Sequence, residues 1–420
     1  MNTPRPPLKP LDTALAELLV FAQVLQDVEQ VSTFDADTRV LAQDVVSPLQ
    51  VPPQDNSAMD GYALRYADIP RAGVVLPVSQ RIAAGSAGTE LQPGTTARIF
   101  TGAPIPGGAD AVVMQEDCEA VGAPAASDGE PSQGPAVRFN TLPRLGQNIR
   151  RAGEDVSMGS VVLQRGTRLT PAALGLAASV GRPELSVVRR PRVALFSTGD
   201  ELVMPGDVAL RDMKPGAIFN SNRFFQRALL VRLGCTVTDM GIVPDRLDAT
   251  IATLREAALA HDLVLTCGGV SVGEEDHIRP AVLALGQLDM WQLSIKPGKP
   301  FAYGRVGAAH FIGLPGNPVS SLVTFLLLVR PFLLSLQGMR DVTPRAVALR
   351  ADFAWPRPDR RREFLRVRHN ASGGLDLFPN QSSGVLTSAV WGDGLVDTPP
   401  GVVVAPGDMV RFLSFADLSA

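Results

Sequence analysis

Between Arg192 and Gly338 the chain alternates two hydrophobic patterns. Short, almost unbroken apolar runs (VALFSTG, TVTDMGIV, DLVLTCGG, HFIGLPG) suit strands buried on both faces, and the longer stretches between them (SNRFFQRALLVRLG, RLDATIATLREAALA, NPVSSLVTFLLLVRPFLLSL) are helix-like. That alternation predicts a parallel sheet covered by helices on both faces, with ligands bound outside the carboxyl ends of its strands. Near the N-terminus, Leu15, Leu18, Leu19, Ala22 and Leu25 recur at helical spacing behind Asp12, a candidate cap. From about Val45 to Val162 the chain is rich in Pro, Gly and Val with short alternating runs such as RIFTGAP and ADAVVMQ. This predicts a β-rich domain inserted between two pieces of the first, with the helical PAALGLAASVG at 171–181 returning to that first domain. Residues 120–135, poor in bulky side chains, read as a surface loop. After residue 341, REFLRVRHN and GVVVAPGDMVRFL predict a small β-barrel or sandwich.

Composition narrows the class. At 420 residues the chain is too long for one core, so two to four domains are expected. Its 39 basic and 42 acidic residues give a formal charge of -3, which argues against a nucleic-acid binder held mainly by phosphates. Cys118, Cys235 and Cys267 are odd in number and scattered, so neither a disulfide framework nor a structural zinc site is expected, and a reducing cytoplasm fits. MNTPRPPLKP lacks the apolar core of a signal peptide. The most membrane-like stretch, 319–334, contains Arg330 and Pro331 and is shorter than the ~20 apolar residues a span needs, so it reads as a buried helix.

The candidate chemistry lies in loops at predicted strand ends. STGDEL places Asp200 and Glu201 just past a strand, and VPDR places Asp245 before a helix, where a plain helix-dipole role is the simpler alternative. In GGVSVGEED, Gly268, Gly269 and Gly273 can bring bare N–H groups to a ligand, with Asp276 at the start of the next helix. GLPGNPVSS is a second such loop leading into a helix. Carboxylates sharing one sheet edge repel unless they face water or hold a cation, so Glu201, Asp245 and Asp276 are candidate Mg²⁺ ligands. In IKPGKP a stiff turn can aim Lys296 and Lys299 at an oxyanion, with a solvated surface pair as the alternative. REFLR and QSSG add Arg366 and Ser383 as anion donors, while Arg357, Arg360, Arg361, Arg362 and Arg368 read as a solvated basic face. DNSAMDGYA, RIFTGAPIP and RRAGEDV put Asp60, Thr101 and Asp155 on glycine turns. GxSxG, GxGxxG and the Walker A loop are absent from the sequence, and the four histidines stand apart, so a triad, NAD chemistry and conventional ATPase chemistry have no positive support.

In chain order, DNSAMDGYA, IFTGAP, GEDV, STGDEL, the NSN at 220–222, GGVSVGEED, IKPGKP, GLPGNPVSS and SSGVLTSAVWGDGL resemble the molybdopterin molybdenumtransferase family. These are the molybdate-insertion enzymes of molybdenum cofactor synthesis, which include the E domain of gephyrin. The resemblance spans nearly the whole chain. It implies a multidomain α/β plus β fold in an elongated homodimer. Its parts would be a discontinuous N-terminal stalk (1–50 and 151–190), an inserted β domain (51–150), a central three-layer α/β molybdopterin-binding domain (191–340) and a C-terminal β-barrel (341–420). It further implies that adenylylated molybdopterin and molybdate react with the help of Mg²⁺ to give molybdenum cofactor and AMP. By motif, Glu201, Asp245 and Asp276 would serve the metal and the pterin phosphates. Lys296, Lys299, Arg366 and Ser383 would hold molybdate with Ser320 nearby, and Ser271, Gly273, Pro315, Gly316 and Asn317 would line the substrate site. Asp60 and Thr101 would reach the cleft from the partner subunit, and Asp155 joins the catalytic set.

Gln292 departs from a family pattern that often carries lysine there, and QDN at 54–56 replaces the commoner FDN. Two rival functions share the α/β pattern. Adenylylation of molybdopterin by ATP is disfavoured because the corresponding loop is TCGGVSVG rather than TGGTG-type and three further domains surround it. A purely structural scaffold is disfavoured by the retained acids and lysines. The expected partners are the two substrates, a second copy of the chain and the molybdopterin adenylyltransferase, with neither nucleic acid nor membrane.

Overall fold

Along the Arg192–Thr198 strand, Val193 and Leu195 enter one hydrophobic core while Ala194 and Phe196 enter another on the opposite face. The same division repeats at Leu263 and Leu265 against Val264, and at Ile312 and Leu314 against Phe311. A sheet apolar on both faces must be covered on both. Helices Leu11–Phe21, Asn222–Arg232 and the continuous Pro318–Leu336 cover one side, and Leu247–Ala260 and Ile278–Leu285 cover the other. The computed structural model describes residues 7–122, 134–269 and 277–419.

The strands run in the order Thr236–Val243, Arg192–Thr198, Leu263–Cys267, Ala309–Leu314, Pro300–Val306, Gly286–Gln292. The first four are parallel, and the last two are antiparallel to their neighbours. This corrects the expected all-parallel sheet. A two-residue turn opening on Gly307 (φ 57°) leaves no room for a crossover helix, so Pro300–Val306 and Ala309–Leu314 close as a hairpin.

Asp12 also differs from expectation. Pro10 occupies the cap position, and Asp12 lies in the first turn, where its carboxylate accepts from Arg362 at 2.9 Å. The Pro318–Leu336 helix is long and apolar enough to cross a membrane by composition, but 83% of it is buried inside the protein. It continues through Pro331, which has no N–H to give, after a π-helical turn over Phe325–Val329 shifts the hydrogen-bond ladder.

The C-terminal strands form a sheet ordered Ile295–Lys296, Arg362–His369, Gly394–Thr398, Met409–Ser414, Val347–Arg350, with Leu375–Leu377 added beside Arg362–His369. One face carries Leu365, Val367, Val396 and Phe412 into a local core; Phe364, Leu395 and Leu413 on the other join the large core beside the α/β sheet. The expected solvated basic face is corrected only in part, since Arg357 and Arg360 are exposed as expected. Arg362 forms a two-pronged pair with the buried Asp397, Arg361 pairs with Asp359, and Arg368 lies over the Trp391 ring.

These elements belong to one compact unit, residues 1–43, 165–170 and 185–420. The other unit, 44–164 and 171–184, holds a six-stranded sheet. Its order is Ala111–Met114, Gly61–Leu64, Thr96–Ile99, Val75–Ile82, Pro135–Phe139, Cys118–Gly122, mostly antiparallel. Ala63, Ala97 and Ile99 fill one side of it, and Leu64, Val113 and Phe139 the other.

Candidate functional site

A cleft of about 780 Å³ opens at the carboxyl ends of the central parallel strands, bordered by Ser197 and Thr198, Cys267 and Pro315. Chain after chain of buried backbone ends there, which is where an α/β sheet exposes unused polar groups. Gly268 makes the first turn possible: its φ is +95°, and a Cβ would sit 2.9 Å from the Thr198 carbonyl oxygen. Glu201 and Asp245, both expected, border the cleft. Glu201 is fixed from behind, because its carbonyl accepts from Ile218 N–H at 2.8 Å where Leu202–Val203 pairs with Ile218–Phe219. The Asp245 N–H donates to the Asp200 carboxylate at 3.4 Å.

Pro315, Gly316, Asn317 and the buried Ser320 border the same cleft. The Val319 N–H donates to the Ser383 carbonyl at 2.9 Å, so one amide that a helix start would offer an anion is already used. That bond brings the Ser383 segment to the cleft rim, where Gly384 is a lining residue.

Lys296, Lys299 and Arg366 differ in their surroundings. The Lys296 ammonium lies 3.1 Å from the Glu363 carboxylate and 3.5 Å from that of Asp359. Glu363 is almost completely buried and also accepts from the Trp355 indole and the Asp359 N–H, both at 2.8 Å. Lys299, half-buried, has no ion-pair partner among the described residues. Arg366 is 1% exposed, and its guanidinium donates to Phe364 O, Ser382 O and Ser388 Oγ at 3.0–3.2 Å with no carboxylate partner among the described residues. Burial pushes its pKa down to about 10, so at neutral pH it remains a desolvated cation suited to an anion.

In the second unit the structure joins two expected residues. The Asp60 carboxylate accepts from the Thr101 N–H and hydroxyl, each at 2.7 Å, and these bonds hold its pKa below the usual range. Asp155 is exposed. Ser271, Gly273 and Asp276 lie outside the described residues. Among the described residues, no group of three His, Cys, Asp or Glu side chains is arranged to hold a metal.

Sequence reasoning gave no role to Asn222 or Cys267. The Asn222 amide donates to the Gly316 carbonyl at 2.6 Å and to the Cys267 sulfur at 2.9 Å, tying the Gly/Pro loop to the end of the central strand. Burial raises the Cys267 thiol pKa, and its S–H donates to the Pro315 carbonyl at 3.2 Å, so it is structural rather than nucleophilic. The signal available was the NSN string directly after a short strand.

A doubly covered, largely parallel sheet with acids and glycine loops at its carboxyl edge defines an α/β enzyme of phosphorylated or anionic small ligands. Family models sharpen this: residues 9–181 match the MoeA N-terminal region (domain I and II), 194–335 a probable molybdopterin binding domain, and 348–415 the MoeA C-terminal region (domain IV). The molybdopterin molybdenumtransferase of Haemophilus influenzae is 43% identical over 332 residues, 79% of this chain and 78% of that one. Molybdopterin molybdenumtransferase 2 of Mycobacterium tuberculosis is 38% identical over 388 residues, 89% and 91% of the two chains. The solved molybdopterin biosynthesis moeA protein from Pyrococcus horikoshii OT3 matches with a TM-score of 0.82 at 28% identity, covering 97% of this chain and 100% of that one. The chain belongs to the molybdopterin molybdenumtransferase family.

Proposed function

We propose that this protein inserts molybdate into adenylylated molybdopterin, releasing molybdenum cofactor and AMP; its place among the transferases of molybdenum cofactor biosynthesis follows from its family. The observation that carries the reading is one cleft bordered by two carboxylates and a Gly/Pro loop at a helix start, all at the carboxyl edge of the matched molybdopterin-binding domain. Both reactants are anions, so bringing them together requires cations and N–H dipoles that offset their repulsion. Lys296, Lys299, Arg366 and Ser383, with Ser320, would hold molybdate; Ser271, Gly273 and the Pro315–Asn317 backbone would hold the pyrophosphate link. Neither holding molybdate beside the pterin nor cleaving the pyrophosphate link demands a protein nucleophile, which agrees with a Cys267 thiol kept protonated.

Mg²⁺ fits the donors present, because Glu201 and Asp245 offer the hard carboxylate oxygens it prefers, with Asp276 as the third proposed ligand. Bound there, the ion would offset phosphate charge and polarise the bond that breaks. Asp60, steadied by Thr101, and Asp155 would complete the site from the partner subunit of a homodimer. The molybdopterin adenylyltransferase is the proposed donor of substrate. Three free cysteines suit work in a reducing cytoplasm.

The direct test mixes purified protein with adenylylated molybdopterin, Mg²⁺ and molybdate and measures AMP. Molybdate-dependent AMP release that is lost in Glu201→Gln and Asp276→Ala, but kept in the exposed-helix control Glu256→Gln, supports the assignment. AMP release by all three variants at the wild-type rate would sink it.

A further inference from the structure

The RIFTGAP string supplies Thr101 to the proposed site, yet its first residue, Arg98, has no part in that chemistry. Its surroundings are unusual for an arginine. On the paired strands Gly61–Leu64 and Thr96–Ile99 it stands opposite Tyr62, half-buried, with no carboxylate at ion-pair distance among the described residues. Its guanidinium lies 5.2 Å from the Tyr62 ring centre and 4.6 Å from that of Phe100, and it donates to the Gly61 carbonyl at 2.9 Å and to the Gln115 side-chain oxygen. These partners frame one pair of residues. Gly61 follows Asp60, Phe100 precedes Thr101, and the Gln115 N–H donates to the Asp60 carbonyl at 3.1 Å. One planar fork thus ties together the three chain segments that meet around Asp60 and Thr101. Both Thr101 bonds end on Asp60 Oδ1, so Oδ2 has no hydrogen-bond partner among the described residues and is free to meet a ligand.

We infer that Arg98 is a positioning residue, which holds the Asp60 and Thr101 pair in the one arrangement that presents the free Asp60 oxygen to the reactants. The inference rests on the proposed function and adds to it the group that aims Asp60. Stability alone does not call for a cation here. A half-buried guanidinium without a counter-charge carries a desolvation cost that neutral acceptors offset only in part, and a methionine would cover the Tyr62 and Phe100 rings without that cost. What the arginine adds is a brace and a nearby positive charge that leave the carboxylate unoccupied, whereas a direct ion pair would cap it. The Thr101 bonds do most to hold the Asp60 pKa below its usual range, and the Arg98 charge adds to them. Reacting groups tolerate little displacement, so the loss of such a brace reaches the rate even where the fold survives.

Steady-state AMP release by the full chain, followed from about pH 5 to 9, tests this with Arg98→Met, Thr101→Val and the double variant. Arg98→Met should lower kcat about ten-fold or more while the KM for molybdate changes less than about two-fold, because the residue aims a group rather than holding a reactant. The acid limb of its pH profile should move to higher pH, since the Asp60 carboxyl then takes up a proton more readily. Thr101→Val keeps the N–H bond and loses the hydroxyl bond, so it acts on the same carboxylate, and the double variant should lose no more than about the larger single loss. Single losses that multiply in the double variant, as two independent defects do, would overturn the inference. A raised KM with kcat intact would overturn it too, by making Arg98 a direct anion contact. If Arg98→Met does not fold, Arg98→Lys carries the test, because it keeps the stem and the charge but cannot bridge Gly61 and Gln115 at once; it should lose kcat with the acid limb in place, and a wild-type kcat would count against the brace. Wild-type protein that releases no AMP would overturn the proposed function instead. Carbon-13 carboxyl titration of Asp60 then reads the positioning directly, with a higher pKa expected in Arg98→Met and an unchanged one overturning it.

Discussion

At the scale of single residues, burial decides which charges matter. Arg366 could be recognised from REFLR as a possible anion donor, but its lack of a carboxylate partner among the described residues comes from three-dimensional packing that no local string encodes. Replacing its fork by Lys should raise the KM for molybdate about ten-fold or more while leaving the protein folded, as steady-state AMP release would report. His310 is informative in another way. It is 8% exposed, bonded to the Tyr303 hydroxyl at 2.9 Å, and burial lowers its pKa from 6.5 to about 4. The unfolded chain binds this proton more readily than the folded one, so the stabilisation is complete above pH 6.5 and is lost as pH falls toward 4. The expected loss is about 3 kcal/mol. Urea unfolding at several pH values should show it, and His310→Gln should flatten that slope; an equally steep slope in the variant would remove His310 as its source.

Among elements, the pairing of Ile295–Lys296 with Arg362–Glu363 gives Lys296 a structural ion pair in addition to the anion-holding role proposed for both lysines of IKPGKP. Their sequence suggests a matched pair, and only the structure supplies Glu363, which neither hydropathy nor spacing connects to Lys296. Lys296→Ala would leave a buried carboxylate short of its cation. Because Lys296 is itself 39% exposed and Glu363 keeps two N–H donors, the expected destabilisation is about 1–3 kcal/mol rather than the larger cost of a fully buried pair. Lys299→Ala should lower activity with an unchanged thermal midpoint, and comparing the two melting curves with the two rates separates the roles. Between the lysines, Gly298 has φ +113°, and a Cβ would lie 2.7 Å from the Thr324 methyl. Gly298→Ala should therefore cost about 1–3 kcal/mol in denaturant unfolding. The four parallel strands and the main helices were legible because their apolar runs have distinct lengths and periods. Strands Gly286–Gln292 and Pro300–Val306 were not, since glycines, prolines and charges interrupt them. The ion pair of Arg362 was equally hidden, because Asp397 is far away in sequence.

For the whole molecule, the sharpest consequence of the proposed dimer is complementation. If Asp60 serves the site of the partner subunit, a mixture of Asp60→Ala and Glu201→Gln chains, each inactive alone, forms heterodimers in which one of the two sites is intact. Refolding or co-expressing them should restore roughly a quarter of wild-type AMP release, and no recovery would place both residues' action within one chain. The division of the chain into two units, each with its own cores, was legible only in outline: the β-rich insertion could be read from turn residues, but the path by which 165–170 rejoins the first unit could not. The strip at 295–296 has a further bearing on how such proteins can be recombined. Because it is encoded amid the α/β segment yet hydrogen-bonded into the C-terminal sheet, a chimaera exchanging residues 341–420 alone would set a native lysine against a foreign acid network. The heritable module is the strip together with its sheet, so workable crossovers must carry both.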